Sequence, residues 1–233
     1  MYRIIKRFLD IVLSVIGIIV TSPIWIIAII GILVNDFGPI FYKARRIGKD
    51  DKEFTMLKFR SMRVLKEPKE GSEASLRPEH DRIFAWGRIM RKLKIDELPQ
   101  LINIVNGTMS IVGPRPVAKD QFQIFRTGKY DIAKAVCPGL TGAAALFDYI
   151  YGDQFEDSDI DTYVKKVLPT RKELEVAYIR KIGFGFDFKM IIWTVWSICC
   201  SIIGKIPQRI LDELIDLAEE NKVQENDKWI SKV

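Results

Sequence analysis

The sequence predicts an α+β fold that is mainly helical. An apolar N-terminal helix leads into a small β-hairpin, then a compact domain with interfacial amphipathic helices. Three observations carry this. Ile11 to Val34 is free of charge. Phe41 to Met62 alternates basic and apolar residues around Gly48-Lys49-Asp50-Asp51. Beyond Arg82, apolar residues recur mostly at helical spacing. The chain has 233 residues, 48% of them hydrophobic, enough for one ordinary domain with attachments. The expected segments are 1–36 for the membrane helix with its basic flank, 37–204 for the main domain, and 205–233 for an amphipathic helix with a polar tail.

The N-terminal run, at ~1.5 Å per residue, makes a helix of about 36 Å, longer than a hydrocarbon core of roughly 30 Å. It is too long for a signal peptide, and no small-residue cleavage site follows. Ser22-Pro23 interrupts it near its midpoint, where proline removes a backbone donor. Arg3, Lys6 and Arg7 precede it, and Lys43, Arg45 and Arg46 follow. Positive flanks favour the cytoplasmic side. With both flanks basic, a re-entrant helix is expected, a true span being the alternative.

Lys58-Phe59-Arg60 closes the second hairpin arm, with Lys58 and Arg60 on one face and Phe59 on the other. Residues 64–81 are polar, broken by Pro68, Gly71 and Pro78, and read as a long loop. Arg82 to Lys94 reads as a helix with Ile83, Trp86, Ile89, Met90 and Leu93 on its apolar face. If it runs on, Arg88, Lys92 and Asp96 share another face.

The stretch from Arg88 to Pro116 is the richest in chemistry. Arg88, Arg91, Lys92, Lys94 and Arg115 surround one acidic pair, Asp96-Glu97. Such a pair in a cationic field suits a phosphorylated anion and a metal, with the cations keeping both acids ionised. Asp96 also suits the N-cap of an apolar helix over Leu98–Val105 that closes on Asn106-Gly107. The two readings are compatible, because a helix N-terminus attracts phosphate.

Gln121 to Ala135 reads as a helix broken at Thr127-Gly128. Pro138-Gly139-Leu140-Thr141-Gly142 is a turn whose amides are able to face an anion, a weak signal on its own. The acid-rich stretch 148–161 lacks calcium-loop spacing and reads as a solvated loop. Leu168-Pro169-Thr170 looks like a helix start capped by Thr170. Phe188 to Gly204 is short for a span, and Trp193 and Trp196 suit a membrane interface. Pro207 opens a last amphipathic helix, with a frayed tail after Glu219.

Net charge is +6, which favours an anionic partner. Nucleic acid is not expected, since no nucleic-acid motif appears. Three cysteines without a CxxC argue against a disulfide framework, and the single histidine against histidine triads and multi-histidine metal sites.

Asp96-Glu97-Leu98-Pro99-Gln100-Leu101, then Met109-Ser110-Ile111-Val112-Gly113-Pro114-Arg115-Pro116, resembles the bacterial sugar transferases. These are small monotopic phosphoglycosyl transferases, or undecaprenyl-phosphate sugar phosphotransferases. The basic residues before the Ser-Pro-broken helix, Lys58 to Met62, Arg91, Pro138 to Gly142, and Asp187-Phe188-Lys189 extend the likeness over roughly residues 3–200. The resemblance implies that Asp96 attacks a nucleotide diphosphate sugar, a UDP-sugar being the expected form, to give a covalent phosphosugar intermediate. Polyprenyl (undecaprenyl) phosphate then accepts the phosphosugar, which initiates a lipid-linked glycan. It implies Glu97 as a ligand to Mg²⁺, with Lys58, Arg60, Arg91 and Arg115 as substrate- and phosphate-binding residues. It implies a monotopic enzyme on the cytoplasmic face of the bacterial inner membrane. Nothing in the sequence supports an oligomer. Cys137, where many members have Arg, and Ala143 to Phe147 depart from the common pattern and leave the sugar unspecified.

Overall fold

A computed structural model describes residues 1–64, 82–152 and 162–223. Most of the expected loop over 64–81, and the acids from Asp153 to Asp161, lie outside these residues.

Helix α1 (Tyr2–Asn35) runs unbroken through Pro23. Proline cannot donate to Ile19 O, and the Ser22 hydroxyl does so at 2.8 Å. The Ser-Pro pair thus repairs its own gap in the hydrogen-bond ladder. One stripe of α1 faces the rest of the chain at helical spacing: Asp10, Ser14, Trp25, Ala28 and Ile32, with Gly17 against Leu101 and Gly31 against the Trp86 ring. The opposite face, including Ile19, Val20, Ile26 and Ile30, is exposed.

The stripe is locked at both ends. Near the N-terminus, Arg7 donates to the carbonyls of Ile104 and Val105 at 2.5 and 2.9 Å. The buried Asp10 carboxylate accepts from Ser110 Oγ at 2.7 Å and from the Ile111 amide at 3.1 Å. Lys6 pairs with Asp187 at 3.0 Å. At the other end the Trp86 amide donates to Asn35 Oδ1 at 3.3 Å. Arg60 ties down the helix terminus through the Asp36 carboxylate and carbonyl and the Pro39 carbonyl.

The expected hairpin is present. Strands β1 (Phe41–Ile47) and β2 (Glu53–Phe59) pair antiparallel, Phe41 opposite Phe59 and Ile47 opposite Glu53. Helix α2 (Ala85–Lys92) is shorter than the expected 82–94, and Ile89, placed on its apolar face, is exposed. Gly87 is required there, because a Cβ would collide with the Ser61 carbonyl. Helix α3 (Gln100–Val105) ends at Asn106, and Gly107 takes φ +87°.

Strand β3 (Ser110–Val112) precedes the Pro-Arg-Pro turn, and β4 (Val117–Ala118) joins the hairpin in the order β2-β1-β4. Helix α4 (Phe122–Phe125) and a 3₁₀ segment (Gly128–Ala135) flank the expected break. Strand β5 (Gly139–Thr141) lies parallel to β3. Gly113, Gly139 and Gly142 let the two backbones touch, since a Cβ on any of them would strike the other strand. The Gly139 amide is bonded to Pro114 O, and that of Gly113 to Thr141 O. This glycine turn therefore serves strand packing, where the sequence had suggested an anion cradle.

Helix α5 (Ala143–Ile150) follows, then a π-helical turn (Tyr163–Val167) and α6 (Leu168–Lys181). The expected Thr170 cap is absent: α6 starts earlier, with Pro169 in its first turn. Helix α7 (Phe184–Ile202) and helix α8 (Gln208–Val223) complete the described chain, α8 running past the expected fraying point at Glu219. The main core joins α5, α6 and α8 through Phe147, Leu174, Tyr178 and Leu214. A second cluster sets Ala28 and Ile32 of α1 against Phe59, Phe84 and Met90. A third packs Ala44 and Met56 of the hairpin on Leu101 and Ile104.

Candidate active site

The acidic pair sits in the turn between α2 and α3. Helix α2 stops at Lys92, Lys94 adopts φ +56°, and Ile95–Glu97 forms one 3₁₀ turn. The α2 face does not run on to Asp96. Nor does Asp96 cap a helix: Pro99 stands at the N-cap of α3, without a side-chain cap bond. The left-handed Lys94 folds the chain back. Its ammonium lies 4.3 Å from the centre of the Tyr149 ring, and the Tyr149 hydroxyl donates to Lys92 O at 3.0 Å.

The two acids have opposite environments. Asp96 is buried, and its Oδ1 is sealed from solvent with no hydrogen-bond partner among the described residues. Burial pushes its pKa up, Glu97 adds to this, and Lys58, Lys94 and Arg91 do not offset it. The nearby cations thus lower the Asp96 pKa less than burial and Glu97 raise it. Glu97 behaves as expected. Burial acts against its charge too, but Lys58, Lys94 and Arg115 hold it well below the usual carboxylate range. Lys58 Nζ reaches Glu97 Oε1 at 2.9 Å, and Lys94 Nζ stands 4.0 Å from the same oxygen.

Arg115 projects from the Pro114-Arg115-Pro116 turn. Its amide donates to both oxygens of Glu175 at 3.0 and 3.1 Å. Its guanidinium meets Asp148 Oδ2 at 3.2 Å. Asp148 also accepts from Tyr163 at 2.7 Å and lies 3.8 Å from Arg171. Burial opposes the Asp148 charge, but Arg171 and Arg115 keep its pKa low. Glu175 is the reverse: burial pushes it up despite Arg171 and Arg126.

Lys58, Arg91 and Arg115 thus act electrostatically on the acidic pair. Arg60 does not join them, being taken up by Asp36 and Pro39 O. Ser22 and Pro23 lie within α1. Sequence reading missed Asp148, Tyr149, Tyr163 and Arg171. Asp148 had been assigned to a solvated loop, but it belongs to α5 and is buried. Its distance in sequence from Arg115 hid the pairing.

Among the described residues, no group of three or more His, Cys, Asp or Glu side chains gathers as a metal site. Two carboxylate oxygens, the buried Asp96 Oδ1 and Glu97 Oε2, carry no hydrogen bond among the described residues. One or two carboxylates completed by substrate phosphates are what Mg²⁺ commonly takes. The residues fit such an ion.

The bacterial sugar transferase family model matches residues 1–201. The chain is 34% identical over 198 residues to the UDP-glucose:undecaprenyl-phosphate glucose-1-phosphate transferase of Escherichia coli K12, covering 84% of this chain and 40% of that protein. It is 33% identical to the uncharacterized sugar transferase EpsL of Bacillus subtilis, over 85% of this chain and 89% of the relative. It is 37% identical to the exopolysaccharide production protein ExoY of Sinorhizobium fredii, over 84% of this chain and 86% of the relative. With the acidic turn, its lysines and the Pro-Arg-Pro loop all inside the matched span, the chain belongs to the bacterial sugar transferase family.

Proposed function

We propose that this enzyme transfers a phosphosugar from a UDP-sugar to polyprenyl phosphate, through a covalent intermediate on Asp96. The observation that carries the reading is the pairing of a buried, unpartnered carboxylate oxygen on Asp96 with a charged, lysine-held Glu97 beside it. Once ionised, a carboxylate oxygen without a hydrogen bond is poorly solvated and keeps its lone pairs for attack. The neighbouring Lys58 and Lys94 neutralise incoming phosphate charge.

In the first displacement an Asp96 oxygen bonds to the β-phosphorus of the nucleotide sugar. The bond from that phosphorus to the α–β bridging oxygen breaks, and nucleoside monophosphate leaves with the electron pair. In the second displacement a phosphate oxygen of polyprenyl phosphate attacks the same phosphorus. The Asp96 carboxylate departs, and polyprenyl-diphosphate sugar is the product. No general base is needed, because the acceptor is already an anion. Glu97 would hold Mg²⁺, which when bound supplies Lewis-acid neutralisation of the diphosphate. Arg115, braced by Asp148 and by its own amide on Glu175, presents a guanidinium to the phosphates.

The acceptor's tail requires a site at the bilayer surface. Helices α1 and α7 are both long and apolar enough to cross a membrane. A straight α1 of 34 residues is about 51 Å long. Yet it contacts the hairpin side of the domain at one end and β3, α3 and α7 at the other. A domain fastened along both halves of the helix favours the re-entrant, monotopic arrangement on the cytoplasmic face.

Incubation with labelled UDP-sugars, rapid quench and intact-protein mass tests the chemistry. One phosphosugar adduct is expected on the wild-type chain and none on Asp96→Asn. Full turnover by Asp96→Asn would overturn the covalent mechanism.

A further inference from the structure

A groove of about 680 Å³ lies between α7 and α8, remote in sequence from the acidic turn. Its volume is within the roughly 300–1,000 Å³ of small-ligand clefts. One wall is α7, with Ile192, Trp193 and Trp196. The other is the Lys205–Ile210 stretch that opens α8, which falls after the last residue matched by the family model. Trp196, Ile192 and Ile206 are half or more exposed, as are Ile202 and Ile203 at the end of α7. A soluble surface would not leave such residues in water.

The charges at the mouth are unequal. Lys189, Lys205 and Arg209 border the groove, with Glu213 as the acid among them. Glu213 is shared by Lys189 at 2.9 Å and Arg209 at 3.4 Å. Asp212, the next acid along α8, is turned to Gln208 at 2.8 Å. Lys205 makes no ion pair among the described residues, and the Arg209 side chain is 93% exposed. Lys189 also lies 4.2 Å from the centre of the Trp193 ring. A cation over the Trp193 ring, two more at the mouth and an apolar trough match a phosphate carried on acyl chains, because tryptophan and lysine both favour the headgroup level.

We propose that the α7–α8 groove binds one anionic phospholipid, its phosphate between Lys205 and Arg209 and an acyl chain along Ile192 and Trp196. The lipid ties α8 to the bilayer beside α7. It is a structural lipid, distinct from the acceptor substrate.

The test uses the full chain in detergent, titrated with phosphatidylglycerol or phosphatidylcholine and read by native mass spectrometry. A preference of about thirtyfold for phosphatidylglycerol is expected, the order that two cations near an anionic headgroup provide. The double variant Lys205→Glu/Arg209→Glu should lose that preference and keep its melting temperature, since neither side chain is buried. Trp196→Ala should lower retention of both lipids. Equal binding of the two lipids by the wild type would overturn the proposal, as would an unchanged preference in the double variant. Displacement of phosphatidylglycerol by equimolar polyprenyl phosphate, with a raised KM for that acceptor in the double variant, would make the groove an acceptor site and also overturn it. The mass readout needs no turnover, so the outcome is independent of the covalent mechanism.

Discussion

Asp96→Asn should abolish transfer and at the same time stabilise the protein. Wild-type Asp96 places a carboxylate oxygen in a sealed position without a donor. A buried acceptor without a partner costs about 1–3 kcal/mol, more if charged. Asparagine removes the charge but still carries polar atoms, so a gain near the lower limit, about 1 kcal/mol, is expected. For a chain of this size that is a rise of about 2–4 °C in melting temperature. The sign follows from the direction of the shift. A carboxyl whose folded pKa exceeds its unfolded value near 3.8 binds more protons folded than unfolded between those two values. Wild-type stability therefore falls across that window as pH rises. Asparagine does not titrate, so its advantage should be smallest at the acid end and greatest above the raised pKa. The nucleophile needs the ionised form, so the acid limb of kcat should lie above the ordinary aspartate range. Calorimetry of both proteins from just above pH 3.8 to neutral pH, beside a transfer assay, checks each part. An Asn variant that melts lower than wild type at neutral pH, or by a difference that ignores pH, would refute the argument. A loss of turnover below about 10³-fold would speak against Asp96 as nucleophile.

Four further outcomes are expected. Glu97→Gln should lower turnover about 100-fold, with partial recovery as Mg²⁺ is raised, read by metal titration of initial rates. Asp148→Asn should raise KM for the nucleotide sugar about tenfold with a smaller change in kcat, because Arg115 loses its brace. It should cost about 2 kcal/mol by denaturant unfolding, less than the ~3–5 kcal/mol of a fully buried pair because Arg115 is partly exposed. Arg3→Cys and Lys43→Cys should both resist membrane-impermeant thiol reagent in intact cells and both label in inside-out vesicles; labelling of only one end would favour a span. Leu214→Ala, at a fully buried α8 position, should cost about 2–5 kcal/mol in the same denaturant assay.

The sequence was most legible where one physical signal dominated. The uncharged run Ile11–Val34, the hairpin around Gly48–Asp51 and the helix after Pro207 each had a single periodicity or turn signature, and each formed. Boundaries failed where long-range contacts decided them. Helix α2 ends before Leu93, as Lys94 turns left-handed where its ammonium meets Tyr149, a ring over fifty residues away. Ile89 fits the apolar pattern, yet its side chain is exposed. At the candidate site, Lys58, Glu97 and Arg115 were readable as a cationic field around an acid. The raised pKa of Asp96 was not, because burial by packing has no local signature. The family resemblance implied Arg60 as one more phosphate contact. Its use at the end of α1 depends on Asp36, which reads in sequence as an ordinary loop acid.

Those terminal contacts of α1 bear on function through height above the membrane. The chain carrying Asp96 leads directly into α3, and Arg7 of α1 is bonded to the last carbonyls of that helix. Leu101 of α3 rests on Gly17, where α1 has no side chain to intervene. Asp10 holds β3, which leads into Arg115. At the other end, Arg60 and Trp86 fix the α1 terminus to β2 and α2, the elements that bring Lys58 and Arg91. Each group around the acidic pair is thus one or two bonded contacts from α1. In the proposed membrane arrangement, the depth at which the exposed face of α1 settles among lipid tails sets the height of Asp96. A lipid phosphate restricted to the headgroup layer reaches a nucleophile only at that height. Buried polar contacts such as Asp10–Ser110 cost desolvation and are directional, so they fix a register that apolar packing alone would leave free to slide. On this reading the polar stripe of an otherwise apolar helix is what aligns the catalytic turn with its acceptor.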